Sequence, residues 1–419
     1  MPEKPKRRMR CIGCGSLQTR KNGRRSISPV SFDRRTKRVV QRYACRRCGV
    51  YFCKRREARK KYSLGFKLEL ARMHVEERLS YRVIAKRVKE RLGKKLSPTL
   101  ACRMVNEIAR MTKSSLEIKR DFEPKWTGYI TLDDKWVRVK GERMLSLVAV
   151  DGSGDPLHSE VHREQTQEVY DQFLMYLRDR LEYPFRAVTT DFDPRLDNAI
   201  KRVVAPAIAH QKCLWHAGEI IKGLIEYPQT RRRFTKLTHQ ISQLKESLAD
   251  RKQSSYDTAH RIKQLEAELI TLRPQYQEKE VLMERFGELV FASERTTSQH
   301  LWNTFRRLYR KPYPAVIRFV ATHWEALLRH QDDGAIFKTT ARAENINKQL
   351  ERRYKTIEAF QSVQTAFHYQ NLYRSYLRFK PYTDCRGKRK DANGSSPLQL
   401  CGATIQSSDW IKNAVRSPS

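Results

Sequence analysis

A chain of 419 residues has room for about three domains, and a composition with 39% apolar residues, 16 Phe, 18 Tyr and 6 Trp excludes a mainly disordered protein. Lysine and arginine number 85 against 46 acidic residues, a net charge of +39 that opposes compaction unless a polyanion is near, so nucleic acid is the expected partner. No run of ~18 apolar residues exists to span a bilayer, and the basic stretch from Met1 to Arg10 lacks the apolar segment of a secretory signal, which makes the expected location cytoplasmic and nucleoid-associated.

Residues 1–61 carry 22 Lys and Arg against three acids, and too few aliphatic residues to build much of a core. Cys11/Cys14 and Cys45/Cys48 form two Cys-x-x-Cys pairs, each followed by a glycine, Gly15 and Gly49. The glycine lets the backbone turn sharply enough to bring both sulfurs to one ion. With a strand expected at 38–43 between the pairs, this is a zinc-ribbon pattern with four thiolates around a structural Zn²⁺. Cys53 is an alternative to Cys48, and two redox-active dithiols are the competing reading.

Residues 62–120 read as three helices, an all-α helix-turn-helix domain. The first runs from about Phe66 to Arg78. Ser80 is an N-cap ahead of Val83, Ile84 and Val88, and Gly93 ends that helix. Ser97-Pro98 opens the third, with a cap followed by a proline at the first helical position. One side of it holds Leu100, Met104, Val105 and Ile108. The other holds Thr99, Arg103, Asn106 and Arg110, residue types that read base edges from one helix face. A solvated face on an ordinary bundle helix is the bland reading, and the basic segment before it favours DNA.

From 121 to 216 the pattern becomes α/β. Strands are expected at 127–139, 143–151 and 156–162, a helix at 165–181, a strand at 185–192, a helix at 194–203 and a strand at 207–212. Three antiparallel strands followed by alternating units is the order of an RNase H-like fold. Residues 217–338 read as an all-α insertion. Leu237, Ile241, Leu244 and Leu248, then Ile262, Leu265, Leu269 and Leu272, recur at coiled-coil-like spacing, and Pro274 is expected to stop the second arm. Residues 339–382 return to helix, and 383–419 read as a flexible tail.

Asp133 and Asp134 end the apolar start of a strand and Asp191 closes another, a costly place for a carboxylate unless something positive pairs with it. On adjacent strands Asp133 and Asp191 would form a site for hard divalent ions. A third carboxylate must come from an element packed on the sheet, and Glu344 is the best placed, with Ile346 and Leu350 to pack inward. Arg352 and Lys355 flank it and would face a DNA backbone. Glu351 and Asp333 are next in line as the third acid.

Thr131-Leu132-Asp133-Asp134-Lys135-Trp136 resembles the first-Asp motif of bacterial and archaeal insertion-sequence transposases, and Thr189-Thr190-Asp191 resembles their second. Cys213-Leu214-Trp215-His216 is similar to the Cys-x-x-His signature of the Mutator-like group. The stretch from Thr339 to Asn345 resembles the one carrying that group's catalytic Glu. Asp133 and Asp191 are 58 residues apart, and Glu344 lies 153 further on, a gap that suits the group's helical insertion. The resemblance implies an Asp-Asp-Glu transposase whose RNase H-like catalytic domain comprises 121–216 and 339–382. It further implies two Mg²⁺ (or Mn²⁺) ions on Asp133, Asp191 and Glu344, which drive DNA cleavage and strand transfer by in-line displacement. His216 would contact the scissile phosphate and Cys213 would pack beneath it; half of a zinc site and a bland core pair are the other readings. The implied partners are double-stranded DNA, as element ends and target, and a second copy of the chain. A DNA-binding regulator derived from an inactive transposase, and a nuclease without strand transfer, are the alternatives.

Overall fold

The computed structural model describes residues 9–27, 29–33, 37–53, 62–205, 208–250, 256–357 and 360–416. It shows a multidomain α/β protein with two separate sheets. The first is small: β1 (Thr19–Ile27), β2 (Arg38–Cys45) and β3 (Tyr51–Cys53), antiparallel in that order. Cys11, Cys45 and Phe52 form its small buried cluster, with Met9 and Tyr43 against them, as a segment poor in aliphatics allows.

Four helices follow, α1 (Leu64–Val75), α2 (Tyr81–Leu92), α3 (Pro98–Arg110) and α4 (Ser115–Phe122). The hydroxyls of Ser63, Ser80 and Ser97 accept from the N–H groups of Phe66, Val83 and Leu100, satisfying one orphan donor at each helix start. Gly93 closes α2 at φ 63°, where a side chain would be strained.

In the larger sheet β4 (Tyr129–Val139), β5 (Glu142–Asp151) and β6 (His158–His162) are antiparallel, while β7 (Ala187–Thr190) and β8 (Ala209–Lys212) run parallel to β4. The spatial order is β6-β5-β4-β7-β8. One face carries Ile130, Leu132, Leu145, Leu147 and Val188. It is covered by α5 (Gln167–Met175) and α6 (Pro194–Ala199), with Tyr170, Phe173 and Leu196 facing in.

Residues 214–332 form α7 (Leu214–Leu224), α8 (Tyr227–Asp250), α9 (Tyr256–Phe291), α10 (Arg295–Tyr309) and α11 (Pro314–Asp332). Leu237, Ile241, Leu265 and Leu272 close the α8–α9 hairpin, as the spacing requires. The expected stop at Pro274 does not occur, and α9 continues to Phe291. Proline in a helix interior costs about 3 kcal/mol. Buried Leu282, Phe286 and Leu289, packed with Ile221, Trp302 and Phe305, offset that cost beyond the proline. Trp302 and Trp324 meet in this core at 5.4 Å between ring centroids, as packing residues. Among the described residues no helix is long and apolar enough to cross a membrane.

The second face of the sheet takes α12 (Ala341–Ile357) and α13 (Val363–Phe379). Ala343 and Ile346 of α12 pack on Val148 and Val150. α13 is buried along most of its length and shares one core with α1–α4 and with Val137, Val139 and Met144 of the sheet. Residues 62–120 therefore have no core of their own. The tail expected to be flexible is anchored at points: Leu398, Trp410 and Ile411 enter the same core and Val415 bridges Thr112, while Thr383, Asp384, Arg386 and Asp391 are exposed. Sparse anchors suffice because each is fully enclosed.

Arg378 of α13 and Asp155 are both 0% exposed and pair through Nε and Nη2, each at 2.7 Å. The indole Nε1 of Trp126 donates to the same carboxylate at 3.0 Å. Asp155→Ala strands a buried guanidinium and is expected to cost about 3–5 kcal/mol, read as a shifted denaturant midpoint with unchanged slope; an unshifted midpoint refutes the assignment.

Candidate functional site

β4 and β7 are in parallel register, with Thr131 opposite Thr189. Asp133 and Asp191 each lie two residues further along, so alternation sends both to the face that carries α12. The next acid, Asp134, points to the other face. There it accepts from the Tyr170 hydroxyl at 2.5 Å and belongs to the packing of α5. Register thus separates two adjacent aspartates that the sequence offers together.

α12 crosses β4 with its side chains in step with the strand. Asn347 Nδ2 donates to Asp133 Oδ2 at 2.7 Å, and one turn on, Glu351 pairs with Lys135. Glu344, in the first turn, accepts from the Thr340 hydroxyl at 2.8 Å and pairs with Lys348 at 3.2 Å. Burial is the main reason that the Asp133 carboxyl is pushed up to about 7; the Asn347 amide opposes the rise, and the carboxylates of Asp134, Glu344 and Asp191 add to it. Of the two alternative third acids, Glu351 is engaged by Lys135, and Asp333 accepts from the Tyr129 hydroxyl at 2.5 Å, at the opposite end of β4.

Cys213 and His216 sit at the N-terminus of α7, directly after β8. Cys213 Sγ, a ring nitrogen of His216 and a carboxylate oxygen of Glu344 all lie within 4.8 Å of one another. The buried Thr340 hydroxyl links two of them, at 3.4 Å from Cys213 Sγ and 2.8 Å from Glu344 Oε1. Burial opposes ionisation of Cys213, yet His216 and Thr340 outweigh it and lower the thiol's value. Cys213 in turn holds His216 above its ordinary range, with Asp191 and Glu344 adding to the effect. Cys213, His216 and Glu344 therefore form one cluster, Asp191 and Glu344 act electrostatically on both His216 and Asp133, and Glu344 joins the two groups. Thr340 was missed in the sequence as a positioning group. So was Trp215, which is 54% exposed beside the His216 ring; a large exposed aromatic between buried Leu214 and half-buried His216 is its signal.

The four cysteines of the small sheet also converge. Cys11 Sγ lies 3.5 Å from Cys48 Sγ, and Cys14 Sγ lies 3.7 Å from Cys45 Sγ. Four sulfurs at ~2.3 Å from one Zn²⁺ would be about 3.8 Å apart, so the cluster fits the ion. Gly15 (φ 72°) and Gly49 (φ 71°) make the turns, their N–H groups donating to Cys11 O and Cys45 O. Backbone donation from Cys48 brings the Cys45 thiol down to about 6 against the effect of burial. Cys53 stands outside the cluster.

Arg103 and Arg110 are exposed on α3, and Asn106 is half-buried, its amide donating to Cys102 Sγ at 3.5 Å. Arg352 is exposed on α12, while the Lys355 side chain lies outside the described residues. Comparison with protein-family models finds none that matches the chain, and comparison with curated proteins finds no match.

Two expectations follow. The chain should carry about one zinc, and chelation or Cys48→Ser should unfold 9–53 while the larger body keeps a cooperative transition; full zinc content in Cys48→Ser would refute the ligand set. Because the folded value of Asp133 lies above its ordinary 3.8, stability is fullest below that value and is lost as pH rises through about 7. Asp133→Asn should therefore stabilise the metal-free protein at pH 8. Solvent screening limits the gain to about 1 kcal/mol, about 2–4 °C in thermal midpoint; a lower midpoint would contradict it.

Proposed function

We propose that the chain is a transposase that binds the ends of a mobile DNA element and catalyses metal-dependent strand cleavage and strand transfer. What supports this reading is that Asp133 lies within β4 and Asp191 just past the end of the parallel β7, each two residues beyond the paired Thr131 and Thr189, with Asp191 and Glu344 of α12 both acting electrostatically on Asp133. The strand order, three antiparallel strands flanked by two parallel ones, supports an RNase H-like catalytic unit. The Ser-capped helices α2 and α3 support a helix-turn-helix, with Arg103, Asn106 and Arg110 toward the base edges. The net charge supports a DNA partner.

Three oxygen donors with mutual repulsion suit Mg²⁺ or Mn²⁺. A bound pair of such ions supplies Lewis acidity and an activated water or 3′-hydroxyl for attack on a phosphodiester. The chain's own residues orient the groups. Asn347 fixes one oxygen of Asp133, and Thr340 and Lys348 hold Glu344. His216, whose proton affinity Cys213 and the nearby acids raise, offers a donor to a phosphate oxygen. Arg352 neutralises backbone charge, and the exposed ring of Trp215 offers a face for an unstacked base. Two element ends must be held together, so a homodimer or larger assembly is the expected working form.

The test is a cleavage and strand-transfer assay on DNA flanking the chain's own coding sequence, with Mg²⁺. Asp191→Asn should lower both steps by at least about a hundredfold, ~2.7 kcal/mol in the barrier, while end binding persists. Full activity in Asp191→Asn sinks the proposal, and cleavage without joining reduces it to a nuclease.

A further inference from the structure

On the far flank of α12 lies an open cleft of about 470 Å³, bounded by α12, α13 and the loop from Tyr382 to Arg389. Four cations line it: Arg78, Arg342, Lys380 and Arg389. Asp384 is the one acid in its wall, and it accepts from the Thr383 hydroxyl at 3.2 Å. Among the described residues none of the four cations has a carboxylate partner. Arg342 donates to Gly152 O at 2.6 Å and lies over the Phe337 ring. Lys380 lies over Tyr376, and Arg389 lies over Tyr382 with a long contact to Ser153 O at 3.5 Å. Unneutralised cations gathered in a concave wall are costly to keep together without an anion. Burial holds the Arg342 guanidinium below its ordinary value, and Arg389 adds to that.

The wall is built rather than incidental. Gly154 has φ 99°, and a Cβ there would stand 2.5 Å from Tyr382 Oη and 3.2 Å from Arg389 Nη2. Only a residue without a side chain lets this turn meet the tyrosine and the arginine. On α12, Arg342, Ile346 and Gln349 turn to the cleft, while Glu344, Lys348 and Glu351 turn to the carboxylate site. The two sites thus occupy opposite flanks of one helix about 10 Å across.

We infer that this cleft binds a nucleoside phosphate, one nucleotide of a DNA strand that crosses α12 beside the carboxylate site. The cations take the phosphate, with Arg able to grip it through two N–H groups, and the rings of Tyr376 and Tyr382 and the flank of Leu377 take the sugar and base. The proposed DNA chemistry supplies only the source of the nucleotide; the nucleoside-phosphate chemistry of the cleft stands apart from it.

The test uses the full chain in EDTA, at ~0.3 M salt to suppress nonspecific binding, titrated calorimetrically with 5′-phosphorylated dithymidylate. Expected is binding about tenfold tighter than for the unphosphorylated dinucleotide, ~1.4 kcal/mol, and a loss of that preference in Lys380→Ala/Arg389→Ala. Arg78→Ala, which leaves the 382–389 loop untouched, should weaken binding in the same direction. Unchanged binding in both variants, with thermal midpoints near that of the parent, overturns the site. Inorganic phosphate binding as tightly as the dinucleotide overturns the nucleoside part, and free dTMP outcompeting a 5′-phosphorylated hexathymidylate overturns the strand as its source. Because no cleavage is read, a chain that binds the dinucleotide and never cuts DNA refutes the proposed function and leaves this cleft standing.

Discussion

The ion pair between Arg378 and Asp155 fixes where the last long helix lies, and most of the molecule is arranged around that helix. Both groups are removed from water, so their attraction must outweigh a desolvation cost of several kcal/mol per ion. It does so with a two-point contact and a third donor from Trp126. α13 also sends Gln370 to Ser146 and Asn371 to the carbonyl of Lys113. These polar contacts, embedded in an apolar surround, admit one orientation of the helix. The front helices, the sheet end and the tail then pack against its remaining faces as one core.

α12 inherits its position from the same arrangement. It lies across β4 with Asn347 over Asp133 and Glu351 over Lys135, a match between the helical step of four and the strand step of two. The consequence is that an acid in the helix's first turn reaches the group formed by Cys213 and His216 without a loop to carry it. The site is held by regular elements, which gives its members little freedom to drift apart.

Much of this was legible in the residues. Apolar strand runs meeting aspartate, serines ahead of helical runs, and the leucine spacing of the α8–α9 hairpin are local signals, and each element lies within a few residues of where they point. The cysteine pairs and their glycines announced the small sheet's cluster. What stayed hidden depends on contacts distant in sequence. Asp133 and Asp134 look equivalent until register assigns them to opposite faces. Nothing local marks Arg378 and Asp155 as a buried pair, because buried charges are rare. Pro274 reads as a stop, since the packing that overrides it comes from α7 and α10. The tail reads as loose, since its burial rests on a few anchors such as Trp410 rather than on a periodic pattern.

The separation of Glu344 from Asp191 also sets an order in time. A ribosome releases the front helices and all five strands of the larger sheet before the helical stretch of 214–332 emerges, and Glu344 follows only after that. The helix that seats α12, with Arg378 near its end, is later still. An incomplete chain can therefore hold its four-cysteine cluster and its basic surfaces while its carboxylate group lacks a member. Completion of the site waits on the synthesis of α12 and α13.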